Sequence, residues 1–228
     1  MKLQTLIKSV RHSTKWFVGQ ILPPTCIACD TLLPVQEPVG ICSTCFSTLP
    51  WWDASHPATP DLPNRINSFR APFLYEPPLD QLIPRFKYAD ATGLIAPLAR
   101  TLATYVPTDS DLLIPVPLHT SRLRQRKYNQ AAELAKMLSK IKGIQTCLNA
   151  LERTRRTASQ AGQNRSTRQK QLSGAFRANP SIVQGKNICL IDDVYTTGST
   201  VEACAIALHK AGAARIDVVT LCYVAPKL

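Results

Sequence analysis

The segment from Ile188 to Thr200 contains the residues of this 228-residue chain whose order points most directly to chemistry. Four apolar residues, typical of a buried strand, precede two carboxylates, Asp192 and Asp193, and a run of small polar residues. That run consists of Thr196, Thr197, Gly198, Ser199 and Thr200. Ligands of parallel sheets bind at the carboxyl ends of the strands, and a helix N-terminus attracts anions. Because glycine lets the backbone come close to a ligand, the segment predicts a phosphate-binding loop.

The acidic pair needs a partner other than the phosphate. Two adjacent carboxylates would repel a bare phosphate, but they suit the hydroxyls of a sugar or a magnesium ion beside it. The alternative is an Asp-Asp turn followed by helix-capping Thr and Ser residues. That alternative explains one or two of these residues and not the whole run in order. A ligand that carries both a sugar and a phosphate is therefore the preferred interpretation.

Residues 188–200 resemble the signature of type I phosphoribosyltransferases, which bind phosphoribosyl pyrophosphate (PRPP). The match runs along the whole segment, with Tyr195 where the family has an aliphatic residue. The resemblance implies that loop 196–200 holds the 5′-phosphate of PRPP. It also implies that Asp192 and Asp193 hold the ribose 2′ and 3′ hydroxyls. They would be the catalytic residues if transfer occurs, with Mg²⁺ bound together with PRPP.

Four of the eight cysteines form two Cys-x2-Cys pairs separated by twelve residues. These are Cys26, Cys29, Cys42 and Cys45. Two such turns offer four thiolates to a tetrahedral ion, and zinc favours that set. Two disulfides or four uncoordinated thiols are the alternatives, but this spacing in a reducing compartment favours metal. A four-thiolate site has no open position, so the predicted Zn²⁺ is structural. Cys147, Cys189, Cys204 and Cys222 lack this spacing and are predicted to be core residues.

Residues 115–119 follow a predicted strand and should lie beside the phosphate loop. The resemblance to type I phosphoribosyltransferases implies that they form the pyrophosphate loop of that fold. The residues predicted on the pyrophosphate side are Leu118, His119, Arg122, Arg124 and Arg126. Arginine forks suit a leaving pyrophosphate, although the same arginines could form the exposed start of a basic helix. His119 is interpreted as a structural or hydrogen-bonding residue. Asn129 and Gln130 either cap the next helix or line the pocket.

The net charge of +12 is concentrated between His119 and Arg177, where 14 Lys and Arg residues face two acids. Concentrated positive charge attracts polyanions. Fourteen cations exceed what one pyrophosphate requires, so single-stranded DNA is predicted as a second partner, with contacts mainly to its backbone. The predicted DNA-binding residues are Arg155, Arg156, Arg165 and Arg168. They lie in the polar segment 153–171, which is predicted to be a mobile flap.

The segment from Ile114 to Gln130 resembles the hallmark of the ComF/GntX family, whose members join a four-cysteine module to a phosphoribosyltransferase domain. The segments 75–88 and 153–176 resemble the same family. The resemblance implies an α/β protein with the type I phosphoribosyltransferase fold, a parallel sheet flanked by helices, and a small N-terminal zinc-binding module. It also implies a role in DNA uptake or natural transformation, with the DNA-uptake machinery as a partner.

The elements that position these residues follow from hydrophobic patterning. Apolar runs predict strands at 112–117, 188–191 and 216–221, and helical spacing predicts helices at 130–141 and 200–211. Strands that alternate with helices indicate a parallel sheet. Four segments are predicted in chain order: a basic amphipathic leader at 1–22, the zinc module at 23–50, a proline-rich linker at 51–72 and the phosphoribosyltransferase-like domain at 73–228.

The sequence also predicts where in the cell the protein is located. It contains no run of 18 apolar residues, so an integral membrane protein is not expected. The first residues lack the features of a secretory signal, and a cytoplasmic location is predicted. The leader could lie on a membrane surface, but packing on the rest of the protein is favoured.

Two functions remain open at this point. The first is an enzyme in which a nitrogen nucleophile displaces pyrophosphate from Mg-PRPP, with an unidentified acceptor. The second is a non-catalytic module that senses PRPP and binds single-stranded DNA. A zinc interaction domain alone would leave residues 188–200 unexplained.

Overall fold

The computed structural model describes residues 25–34, 40–52, 59–86, 95–126, 128–155 and 171–226. The chain divides into two compact units, Met1–Leu49 and Pro50–Leu228. The predicted leader at 1–22 lies outside the described residues, as does most of the predicted flap. No helix in the described ranges is long and apolar enough to cross a membrane.

The first unit has little apolar core in its described part. An antiparallel bridge joins Thr25 to Leu32, and helix α1 spans Ser43–Ser47. Only Cys26, Leu33 and Leu49 are buried apolar side chains in the part of this unit that the structure describes. A segment with so small a core needs another source of folding energy, which the cysteines could supply by binding metal.

The second unit is an α/β domain. Its strands are β1 (Ser68–Arg70), β2 (Phe73–Leu74), β3 (Leu112–Pro115), β4 (Gln145–Thr146), β5 (Leu151–Arg153), β6 (Phe176–Ala178), β7 (Asn187–Tyr195) and β8 (Arg215–Tyr223). Its helices are α2 (Leu79–Phe86), α3 (Ile95–Ala103), α4 (Thr120–Arg126), α5 (Gln130–Lys142), α6 (Pro180–Val183) and α7 (Ser199–Lys210).

Among the described residues, six strands form one parallel sheet in the order β1-β8-β7-β3-β4, and β2 follows β1 along the same side of β8. β3 and most of β7 and β8 are buried, as expected for strands with both faces covered. The parallel sheet and its flanking helices confirm the predicted fold class.

The five elements predicted from the patterning all form. α5 begins where the Asn129 side chain accepts a hydrogen bond from the Ala131 N–H, and it ends at Gly143, which has a φ of 73°. Its buried face includes Leu134, Ala135 and Leu138. The antiparallel pair β5–β6 was not predicted, because both strands are only three residues long.

The segment 51–72 differs from the predicted linker, because its described residues belong to the second unit and contribute to the sheet. β1 pairs with β8 from Ser68↔Asp217 to Arg70↔Val219. Trp52 and Ile66 are buried in the core of this unit. Proline-rich composition predicts irregular backbone, but it does not show whether that backbone packs against a sheet.

Candidate functional site

The sheet leaves a crevice at the carboxyl end of β7. β3 ends at Pro115, which pairs with Ile191, whereas β7 continues beside β8 as far as Tyr195. Asp192 and Asp193 therefore lie past the end of β3, next to the segment that follows it. This is where ligands bind in open α/β sheets.

The predicted phosphate loop connects β7 to α7 through residues 196–198. Gly198 is the N-cap residue of α7, with a φ of 74°, and no side chain caps this helix. By contrast, Asn129 and Asn179 cap α5 and α6 through their side chains. A helix whose first N–H groups lack a side-chain acceptor is suited to bind an anion. Thr197 Oγ1 lies 2.9 Å from Ser199 Oγ, so the two hydroxyls are close enough to contact the same anion.

Tyr195 lies directly beneath the loop. A Cβ placed on Gly198 would lie 2.7 Å from Cζ of Tyr195 and closer still to its hydroxyl. The ring of Tyr195 lies 4.5 Å from that of Phe69, measured between centroids, and 6.0 Å from that of Tyr223. Residues of β1 and β8 thus hold the ring that supports the loop.

The two carboxylates are half-buried and partly engaged by the backbone. Asp192 Oδ1 accepts a hydrogen bond from the Asp193 N–H at 2.9 Å, and Asp193 Oδ1 accepts one from the Val194 N–H at 2.8 Å. These bonds restrain the orientation of both side chains within the crevice. Carboxylates restrained in this way can accept hydrogen bonds from ribose hydroxyls.

The segment after β3 is tied to the same crevice. The Val116 N–H donates to the Ile191 carbonyl at 2.9 Å, and Asn129 Nδ2 donates to the Val116 carbonyl at 2.9 Å. Asn129 also lines a cavity of about 490 Å³ together with Leu118 and Arg153. Asn129 thus caps α5 and also lines this cavity, which contains no residue of the acidic pair or of loop 196–200, whereas Gln130 is buried.

His119 contacts Ser121 at the start of α4. Its Nδ1 accepts a hydrogen bond from the Ser121 N–H at 3.2 Å and lies 2.9 Å from Ser121 Oγ. Arg122 is half-buried and Arg124 is exposed, both on α4. Arg126 ends α4, and its side chain lies outside the described set.

Arg153 interacts electrostatically with Asp192, although it is not among the site residues predicted from the sequence. Burial and the neighbouring charge of Arg122 lower the pKa of the Arg153 guanidinium, whereas the negative charge of Asp192 raises it. Its guanidinium carbon lies 5.4 Å from the centroid of the Phe176 ring. An arginine remains charged despite such a shift. The sequence signal was its position at the head of the polar segment, but only the pairing of β5 with β6 places it near the acidic pair.

The predicted DNA-binding arginines are only partly described. Arg155 donates a hydrogen bond from Nη2 to the Ser173 carbonyl, which holds together the two ends of the predicted flap. Arg156, Arg165 and Arg168 lie outside the described residues.

The cysteine cluster brings together the four residues that the spacing predicted. Their sulfur atoms all lie within 4.8 Å of one another, and Cys29 Sγ lies 3.8 Å from Cys42 Sγ. Four thiolates at the Zn–S distance of about 2.3 Å would stand about 3.8 Å apart. Backbone N–H groups of Cys42 and Cys45 point to the sulfurs of Cys26 and Cys42 at 3.4 Å. The arrangement fits a closed four-thiolate zinc site.

Two thiols of the cluster have pKa values that are shifted in opposite directions. Hydrogen bonding to Thr31 lowers the pKa of Cys29 to about 6, whereas hydrogen bonding to Cys29 and Cys42 raises that of Cys45 to about 12. Crowded thiols oppose the ionisation of one another, and a divalent cation would remove that opposition.

The other cysteines do not form a second cluster within the described ranges. Cys189, Cys204 and Cys222 are fully buried, as predicted, whereas Cys147 is half-buried and its thiol donates to Asn149 Oδ1 at 3.1 Å. Burial raises the pKa of Cys189 and Cys204, so both stay protonated at neutral pH.

Comparison with known proteins identifies relatives. The family model described as phosphoribosyl transferase domain matches residues 128–227 of this chain. The chain is 36% identical over 156 residues to the DNA utilization protein YhgH of Shigella flexneri, covering 65% of this chain and 68% of that protein. It is 34% identical over 158 residues to competence protein F of Haemophilus influenzae, covering 63% and 67% respectively. Among solved structures, the allosteric regulatory enzyme of purine biosynthesis aligns with a TM-score of 0.43 at 19% identity, over 60% of this chain and 29% of that one.

Proposed function

The chain belongs to the ComF family of phosphoribosyltransferase-like proteins, and on this premise we propose that it binds Mg-PRPP as part of a role in DNA uptake. The observation that carries the PRPP proposal is the uncapped N-terminus of α7, which lies beside the restrained acidic pair at the end of β7. The DNA-uptake role follows the relatives, whose names refer to competence and DNA utilization.

In this proposal each part of PRPP meets a different part of the crevice. The 5′-phosphate accepts hydrogen bonds from loop 196–200, and the ribose hydroxyls donate to Asp192 and Asp193. The pyrophosphate lies toward Arg122 and Arg153, whose charges compensate its own. The carboxylates of the acidic pair and the oxygens of PRPP would hold Mg²⁺, which would neutralise part of the charge on the pyrophosphate.

If the protein is an enzyme, a nitrogen nucleophile attacks C1 of the ribose while the bond to pyrophosphate breaks. The transition state then resembles an oxocarbenium ion, so catalysis consists of positioning the partners and stabilising the departing charge. A second candidate is a PRPP-sensing module that binds single-stranded DNA, and the basic segment 119–177 favours it. Measuring pyrophosphate release from PRPP with bases, amines and DNA as acceptors distinguishes the two functions.

Removal of the ribose and phosphate contacts is expected to weaken PRPP binding without unfolding the protein. We expect Asp192→Ala and Asp193→Ala to lower the affinity by about 10- to 100-fold each, the range for hydrogen bonds to charged groups. Thr197→Val should lower it by about fivefold, because a donor is lost while the shape is nearly kept. Calorimetric titration with PRPP and Mg²⁺ measures these changes.

Asp109→Ala is the control, since this carboxylate pairs with Arg215 near the amino ends of the strands. Unchanged PRPP affinity in all three site variants would remove the assignment of this site.

Binding of single-stranded DNA is expected to be weak, tolerant of sequence and steeply dependent on salt. The logarithm of the affinity should fall by about 0.7 per contacted phosphate for each tenfold rise in salt. Replacement of Arg155, Arg156, Arg165 and Arg168 by Ala should flatten that slope and leave the zinc content unchanged. Fluorescence anisotropy of a labelled oligonucleotide at several salt concentrations measures the slope.

A charge-matched control uses four exposed basic residues that lie outside segment 119–177 and near the amino ends of the strands: Arg65, Arg100, Lys186 and Lys210. Their replacement by Ala removes the same charge from the opposite edge of the sheet and should leave the slope nearly unchanged. Salt-independent binding, or equal slopes for the parent and the arginine variant, would assign the basic segment to another role.

A further inference from the structure

The four cysteines of the cluster differ in their access to solvent. Cys29 is exposed, Cys42 and Cys45 are half-buried, and Cys26 has no exposed surface. Sulfurs that hold zinc are thiolates, which is the form of cysteine that peroxides oxidise. Oxidation of such a site therefore depends on which sulfur the oxidant can reach. Within this cluster, exposure favours attack at Cys29.

The sulfur of Cys42 lies where it can react with an oxidised Cys29. The two Sγ atoms are 3.8 Å apart, so an approach of about 1.8 Å brings them to the S–S bond length of about 2.05 Å. Cys26 is less accessible, because it is fully buried and its sulfur accepts a hydrogen bond from the Cys42 N–H at 3.4 Å. Since Cys29 and Cys42 belong to different Cys-x2-Cys pairs, a bond between them joins the two halves of the cluster.

A bond between these two residues would remove half of the metal ligands. A disulfide sulfur carries no negative charge, and zinc binding depends on deprotonated thiolates. Movement of the Cys42 sulfur also disturbs the start of α1, because this sulfur accepts a hydrogen bond from the Cys45 N–H at 3.4 Å. The described part of the first unit buries only three apolar side chains, so its fold should loosen when the metal leaves.

We propose that the cysteine cluster is a peroxide-sensitive switch, in which oxidation joins Cys29 to Cys42 and releases zinc. This inference rests on the predicted zinc site and is independent of PRPP binding. In the first step, the Cys29 thiolate attacks one oxygen of hydrogen peroxide, the O–O bond breaks, and hydroxide leaves. The Cys42 thiolate then attacks the sulfur of the resulting sulfenic acid and displaces a second hydroxide. Two thiolates thus lose two electrons to the peroxide, and a dithiol reductant reverses the bond.

The test uses the full-length zinc-containing protein and one equivalent of hydrogen peroxide. A chromogenic zinc indicator measures release, and we expect about one Zn²⁺ to leave for each disulfide formed. Hydrogen exchange of residues 25–34 and 40–49 should show lost protection, which returns after treatment with a dithiol reductant and Zn²⁺.

Peptide mapping identifies the bond. Asp30 is the one aspartate between the two Cys-x2-Cys pairs, so a protease that cleaves before aspartate separates them. A bond within either pair stays inside one peptide, whereas a bond from Cys29 to Cys42 links two peptides. Alkylation of the remaining thiols before digestion shows which cysteine of each peptide is bound. We expect linked peptides in which Cys26 and Cys45 are alkylated.

Exchange of one ligand for histidine separates metal binding from oxidation. Cys29→His should still bind zinc, because sets of three cysteines and one histidine also form structural sites, but it cannot form the disulfide. We expect peroxide to release its zinc at least tenfold more slowly than that of the parent. Cys45→His makes the same exchange outside the proposed pair and should release zinc at least fivefold faster than Cys29→His. Cys147→Ser removes a half-buried thiol outside the cluster and should release zinc at the parent rate.

The outcomes separate this inference from the zinc assignment. If the protein contains zinc but peroxide leaves it bound, the switch is overturned and the zinc site stands. A bond within one Cys-x2-Cys pair as the first product, or equal release rates for Cys29→His and the parent, also overturns it. Absence of zinc from the purified protein removes the zinc assignment and the switch together.

Discussion

Substitution of one of the predicted zinc ligands, Cys42→Ser, is expected to release the metal and loosen the folded structure of residues 25–34 and 40–49. The described part of this unit buries only three apolar side chains, so a bound metal would provide most of its stability. Structural zinc contributes on the order of 10–16 kcal/mol to small modules of this kind, which is comparable to the whole stability of a typical domain, about 5–15 kcal/mol. Cys26→Ser should act in the same way.

Elemental analysis of freshly purified, reduced protein measures the metal, and we expect about one Zn²⁺ per chain by the four-thiolate rule. Hydrogen exchange measures the folding of residues 25–34 and 40–49. Cys147→Ser is the control, because this half-buried thiol lies outside the cluster. It should keep the metal and the protection of residues 25–34 and 40–49 against exchange. A protein without zinc, or a Cys42→Ser variant that retains it, would refute the assignment of the cluster.

Gly198→Ala is expected to lower PRPP affinity by about 100-fold. The backbone at Gly198 has a φ of 74°, where a residue with a Cβ costs about 1–2 kcal/mol. The added Cβ would also overlap the ring of Tyr195, which is buried and held between Phe69 and Tyr223. Because the ring cannot move away, the loop must move, and its N–H groups then lose their alignment to the phosphate. The loss of one or two such bonds accounts for the expected change.

Gly185→Ala is a close control, because Gly185 has a φ of 70° and a Cβ there meets nothing within 4 Å. Both variants should lose a similar amount of stability from backbone strain, but only Gly198→Ala should lose PRPP affinity. Adding Tyr195→Leu to Gly198→Ala should restore part of the affinity, since it makes room for the Cβ. Calorimetry and thermal unfolding give both quantities. PRPP binding by Gly198→Ala at the parent affinity would show that the loop is not the phosphate site.

Tyr195 illustrates the limit of a motif. The sequence shows a tyrosine where the related signature has an aliphatic residue, and nothing near it in the chain explains the change. The explanation lies in Phe69 of β1 and Tyr223 of β8, which pack against its ring. Those partners come from segments distant in sequence, one of them inside the predicted linker.

The sequence alone determined the features whose residues are close together in the chain. The phosphate loop, the acidic pair and each Cys-x2-Cys turn are local, and the apolar runs of β3, β7 and β8 are long enough to identify. Local spacing sets the geometry of turns and helix starts, so residue types in order are sufficient to predict them.

The tertiary structure decided what depends on distant pairings. Arg153 lies near Asp192 because β5 pairs with β6. Residues 59–61 line a cavity with residues 195–197 and 223–226 because their segment packs at the ends of β7 and β8. β1 joins β8 across about 150 residues of chain, a contact that no local pattern encodes. Short strands and irregular segments are held in place by burial of their apolar side chains against the sheet. The free energy of this burial depends on the folded sheet and cannot be read from local sequence.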